Sequence, residues 1–130
     1  MAGKKLLDSQ HRDNSPMFII PLTKTPSQTL KAVLDDQDCE ISILMRGPNL
    51  YLDLTVNGIV VQQGALLLDY VSAIQIPTRN FSGTLAMYDT QGNEPPRWDG
   101  LGDRWQLCYW SEGEDGAPRN MVPEFDGALE

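Results

Sequence analysis

The chain has 130 residues, 41% of them hydrophobic and 22% charged, a composition that supports one ordinary globular domain with a real core. Its net charge is −8 and its Lys and Arg are not clustered, which argues against binding a nucleic-acid backbone or an anionic membrane surface. No stretch approaches the roughly 18 to 20 apolar residues of a membrane span, and the apolar run after Lys4 and Lys5 is only Leu6-Leu7, too short for a signal peptide.

The charge is unevenly spread. Residues 1–16 carry +1 (Lys4, Lys5 and Arg12 against Asp8 and Asp13), residues 17–110 carry −4, and residues 111–130 carry −5. The first segment lacks apolar periodicity and ends in Asp13-Asn14-Ser15-Pro16, which marks residues 1–16 as an extended or disordered arm. Residues 17–110 form the expected β-domain, and residues 111–130 an acidic tail.

The β pattern begins with Met17-Phe18-Ile19-Ile20, where Pro21 predicts an edge position or strand end. From Ser27, Leu30, Ala32 and Leu34 alternate with Thr29 and Lys31. Asp35-Asp36-Gln37-Asp38 reads as a turn stabilised by Asp side chains rather than a calcium loop, whose spacing it fails. Cys39, Ile41, Ile43 and Met45 then share a face. After Gly47-Pro48-Asn49, Leu50, Leu52, Leu54 and Val56 give the clearest two-residue period in the chain. Asn57-Gly58 between apolar flanks is a strong hairpin signal, because a type I′ turn needs positive φ at both central residues. Ile59-Val60-Val61 starts the return strand. The apolar run at residues 64–69 reads as strand or a single helical turn, and residues 70–76 as β-favouring.

Phe81, Gly83, Leu85 and Met87 alternate as another strand, in which Gly83 marks a bulge or a close approach. A long polar loop, residues 89–103, leads to a last strand at residues 104–110, with Trp105, Leu107 and Tyr109 on one face. Seven or eight short strands spaced like this predict an all-β fold, a small antiparallel sandwich or partly open barrel.

Chemistry is sparse. The single histidine, His11, lies in the arm, and no nucleophile elbow, P-loop or dinucleotide fingerprint occurs. Cys39 and Cys108 sit in apolar segments, as buried free thiols of a reducing compartment do, and there is no ligand set for zinc. The expectation is a protein without cofactor, metal or catalytic residues. The most unusual segment is the loop holding Arg97, Trp98, Leu101 and Arg104. It reads as an interface loop, since Trp and Arg anchor interfaces, or as a flap over the sheet end with Trp98 plugging the core edge. In the tail, Met121 and Phe125 are candidate docking residues if it orders on assembly; otherwise the tail is a solvated segment.

Taken together, Ile20-Pro21-Leu22-Thr23-Lys24-Thr25-Pro26, the Leu34 to Ile41 hairpin, Leu50-Tyr51-Leu52-Asp53-Leu54, the hairpin from Asn57 to Gly64, Gly83-Thr84-Leu85-Ala86-Met87-Tyr88-Asp89 and the run from Leu101 to Trp110 form an ordered series. That series resembles the small baseplate plug proteins of contractile-tailed bacteriophages over residues 18–110. Asp36 stands where the family pattern has glycine. The resemblance implies a structural virion protein, assembled in the host cytoplasm and packed at the tail tip against tube, hub, spike and other baseplate proteins, in several copies around the tail axis. It carries over no catalytic residue or ligand. Two other readings compete. One is a carbohydrate- or receptor-binding module, with exposed Tyr51, Tyr88, Trp98 or Trp110 stacking on sugars. The other is a small enzyme using carboxylates among Asp53, Asp69, Asp89, Asp99 and Asp103.

Overall fold

The computed structural model describes residues 17–74 and 79–118. Among these described residues seven strands form two antiparallel sheets: β1 (Phe18–Ile20), β2 (Ser27–Leu34), β3 (Gln37–Arg46), β4 (Asn49–Val56), β5 (Ile59–Leu66), β6 (Thr84–Asp89) and β7 (Trp105–Trp110). One sheet is the meander β2-β3-β4-β5 and the other has the order β1-β7-β6. The sheets face each other as a sandwich and do not close into a barrel. The described residues contain no α-helix, only a 3-10 turn at Trp98–Gly100.

Local chemistry builds the meander. Its three connections are two-residue hairpins, fixed by the pairs Leu34↔Gln37, Arg46↔Asn49 and Val56↔Ile59. Asn57 (φ 50°) and Gly58 (φ 83°) both take the left-handed conformation that a type I′ turn requires. Asp35 (φ 51°) and Asp36 (φ 65°) make the first turn in the same way, so the tight turn forms without the family's glycine. Asp tolerates this region better than most residues because its short side chain can bond locally. Gln37 and Asp38, read as turn in the sequence, therefore begin β3.

The alternation then does what a half-buried sheet demands. Ile41, Ile43, Leu50, Leu52, Leu54 and Val56 face inward and are at most 1% exposed. Each such side chain contributes about 1.5–3 kcal/mol by leaving water. Met45 shares their parity but is 44% exposed, one residue from the end of β3. β5 is less regular. Its register against β4 shifts twice, and Gly64 (φ 65°) sits within it, with its N–H donating to Asp53 Oδ1 at 2.7 Å. Residues 64–66 thus end a bulged strand, and residues 67–69 follow it without a helical turn.

Sheet β1-β7-β6 is buried on both sides. Leu85, Met87, Trp105, Leu107 and Tyr109 enter the central core, while Ala86, Tyr88, Cys108 and Trp110 form a second cluster on the outer face with Met17. β1 is an edge strand that stops before Pro21, as the proline predicts. Gly83 is the close approach: a Cβ there would overlap the Tyr109 ring. The β-favouring segment after residue 69 forms no strand over its described part. It touches β6 only through isolated bridges at Asp69 and Ser72, and residues 75–76 lie outside the described residues. Tyr70 (φ 58°) interrupts regular pairing there.

Candidate interaction surfaces

The β6–β7 connection is braced by a buried ion pair. Asp89 is fully buried at the end of β6, and its carboxylate accepts from Arg104 Nε at 2.7 Å and Nη2 at 2.8 Å. The N–H groups of Gln91 and Glu94 also donate to it, each at 2.9 Å. The two bonds from Arg104, first, and the backbone donors hold the Asp89 carboxyl well below the usual carboxylate range, against the opposing effect of burial. Trp105 meets two cations, with the Arg97 and Arg104 guanidinium carbons 4.7 and 4.5 Å from its ring centroid, and its indole N–H donates to Glu94 O at 3.1 Å. Gly100 packs so closely that a Cβ would overlap the Trp105 ring.

This brace distributes the four loop residues singled out in the sequence. Leu101 is 1% exposed and belongs to the core. Arg104 is mostly enclosed and committed to Asp89. Arg97 and Trp98 remain outside, with Trp98 37% exposed. The plug at this end of the sandwich is thus Leu101 and not Trp98. The 3-10 turn accounts for the exchange, since it turns Leu101 inward beside Trp105. Met121 and Phe125 lie outside the described residues. Sequence reasoning missed Asp89 as the organiser. The available signal was an Asp and an Arg bounding a loop rich in Gly and Pro, spaced to meet across a hairpin mouth.

The outer face of β1-β7-β6 is covered by the chain's own segments. Tyr70 packs edge-on against Tyr88 and Trp110, with centroids 5.8 and 6.1 Å away, and its hydroxyl donates to Gly116 O. Ala117 packs on the same cluster and Pro118 is buried. The first residues of the acidic segment therefore strap the sheet. This corrects the expectation of exposed aromatics: Tyr88 and Trp110 are 4% and 1% exposed, and Tyr51 is half-buried with Arg46 over its ring. Polar ties also link the sheets, as Tyr109 Oη donates to Asp35 Oδ2 at 2.5 Å. Burial, and then the Asp35 carboxylate, push the Tyr109 hydroxyl up from its ordinary range.

Among the described residues no three His, Cys, Asp or Glu side chains group as metal ligands. Cys39 and Cys108 are buried free thiols, and burial raises the Cys39 pKa. Of the acids named as possible catalytic carboxylates, Asp53 caps the β5 bulge, Asp69 Oδ1 accepts from Asp89 N–H at 2.7 Å, Asp89 pairs with Arg104, and Asp103 meets Lys24 at 3.3 Å.

These features define a small seven-stranded β-sandwich with a braced loop and a strapped outer sheet. The model of the family described as cyanophage baseplate Pam3 plug gp18 matches residues 17–112, and the chain belongs to that family. It is a structural baseplate plug protein of a tailed phage, it associates with other baseplate proteins, and its place is the virion tail. Among curated proteins none matches the chain.

Proposed function

We propose that this chain acts as a passive plug at the tail tip, bridging tube, hub and spike proteins in several copies around the tail axis, without catalysis, cofactor, nucleic acid or membrane contact. The observation that carries the reading is that the family match spans almost all of the described sandwich. The architecture supports it. Trp98, beside the Arg97 that covers Trp105, projects from a loop whose backbone Asp89 holds at Gln91 and Glu94, and a rigid anchor loses little entropy on docking. Assembly in the host cytoplasm accords with two buried cysteines left as thiols.

Virions made without the protein provide the test. Electron micrographs should show tail-less particles or baseplates with an open tip. Restoring the Trp98→Ala variant should leave the fold intact but reduce recovery of the protein with purified tails. Baseplates of normal appearance and infectivity in its absence would overturn the proposal.

A further inference from the structure

The edges of the two sheets are protected unequally. β1 is three residues long and followed by Pro21, which has no N–H to offer. β6 is covered: Tyr70 N–H donates to Met87 O and Ala73 N–H to Leu85 O, both at 2.7 Å. β5 carries two register shifts. β2 has eight residues, an unbroken ladder to β3, no proline and no bulge, and no strand lies on its other side among the described residues. Val33, on this strand, is 66% exposed, the highest value among the exposed large hydrophobic residues. Beside it lies an open depression of about 500 Å³ whose lining includes Lys31, Val33, Asp38, Glu40 and Thr55. A long edge strand with no proline or bulge and an exposed apolar side chain is a pairing site unless something covers it.

We propose that β2 accepts, as an added antiparallel strand, the N-terminal arm (residues 1–16) of a second copy of this chain. The arm contains Lys4-Lys5-Leu6-Leu7-Asp8. In the register that sets Lys5 opposite Leu34, Leu6 falls beside Val33, Leu7 beside Ala32 and Asp8 beside Lys31. Leu6 then covers the exposed valine, Leu7 joins the face that looks into the sandwich, and Asp8 meets a cation; Lys5 shares Leu7's face, opposite Leu34 at the end of the strand where the Asp35-Asp36 turn begins. Lys4 reaches the turn that carries Asp35 and Asp36. Slipping by one residue would exchange the faces and lose these matches.

The same register excludes the chain's own arm. Phe18 pairs with Tyr109, whose hydroxyl reaches Asp35, so the arm leaves the domain at the Asp35 end of β2. With Lys5 opposite Leu34, Arg12 lies opposite Ser27, at the other end. Returning from there spans the length of β2, about 23 Å at strand rise. The five steps from Arg12 to Met17 extend to about 18 Å. A neighbour's arm has no such limit. Repeated from copy to copy, the contact builds a ring where the rotation closes. It is independent of which baseplate proteins the chain meets, so its failure would leave the plug reading standing.

The test is a disulfide trap in the purified full-length protein. Leu6→Cys and Val33→Cys together should place two thiols within bridging range across the added strand. The native cysteines, 2% and 1% exposed, are shielded from mild oxidation. We expect disulfide-linked multimers on a non-reducing gel from the double variant and few from either single variant. Adding Lys31→Glu should lower the linked fraction roughly two- to fivefold, and adding Asp8→Lys as well should restore it. A product that runs as monomer with both new thiols consumed would assign the edge to the chain's own arm. That result, thiols that stay free, or equal linking in the single variants would each overturn the proposal.

Discussion

The two sheets of this sandwich are held by different means. The meander β2-β3-β4-β5 is built from neighbours in sequence, turned by two-residue hairpins, with one face in the core and the other toward solvent. The sheet β1-β7-β6 joins strands far apart in the chain, and both of its faces are covered. The meander rests on apolar periodicity, tight hairpins and local bonds such as Gly64 N–H to Asp53. The three-stranded sheet also needs a buried ion pair, a tyrosine crossing to the opposite sheet, and a strap. A sheet assembled from distant segments has long connections whose polar backbone must be satisfied, and Asp89 supplies acceptors for two such N–H groups.

The contrast is sharpest for two aspartates. Asp89→Ala removes a fully buried carboxylate and strands the mostly enclosed Arg104, so it should cost about 3–5 kcal/mol in urea unfolding. Asp53→Ala, in the meander, loses one bond to Gly64 N–H and should cost about 1 kcal/mol. Equal costs would erase the distinction. The pH profile should follow the same residue. The native Asp89 carboxyl titrates below its unfolded value, so its stabilisation is complete above about pH 4 and is lost as pH falls from there toward the lower native value. Unfolding of Asp89→Asn should show a shallower dependence over that acid range.

Packing offers the next comparison. Gly83→Ala forces a methyl into the Tyr109 ring and should cost about 1–3 kcal/mol by thermal or urea unfolding. No loss would mean that β7 can shift, and that the three-stranded sheet is looser than its contacts indicate. The smallest effect concerns the tie between sheets. Tyr109→Phe should cost about 1 kcal/mol at neutral pH. Because the native hydroxyl titrates above its unfolded value, near 10, its stabilisation is present below that pH and is lost as pH rises through the native value. The Phe variant should therefore unfold with a flatter alkaline limb than the parent.

The division also explains what was legible in the residues. Leu50, Leu52, Leu54 and Val56 announce a half-buried strand because alternation is a local property, and Asn57-Gly58 announces its hairpin for the same reason. Pro21 marks an edge and Gly83 a close approach by equally local rules. The segment around Tyr70 was illegible as a non-strand, since its composition favours β while its backbone turns to φ 58° to cover the edge of β6. The strap was illegible because an acidic, turn-rich segment gives no sign that Ala117 and Pro118 reach an aromatic cluster. Among the loop residues, only the fold separates Leu101 in the core from Trp98 outside, because the 3-10 turn decides which apolar side chain points inward.

The pairing of β1 with β7 has a consequence for biosynthesis. Phe18 meets Tyr109, its partner 91 residues later. At about 5–20 residues per second, a ribosome makes the apolar strand Phe18-Ile19-Ile20 roughly 5 to 18 seconds before the strand that will shelter it. The meander is translated within that interval and its hairpins need no later residue. Nascent chains arrested before Trp105 should therefore hold an ordered four-stranded sheet with the first strand still unpaired, a state in which a chaperone would find its target near the amino terminus.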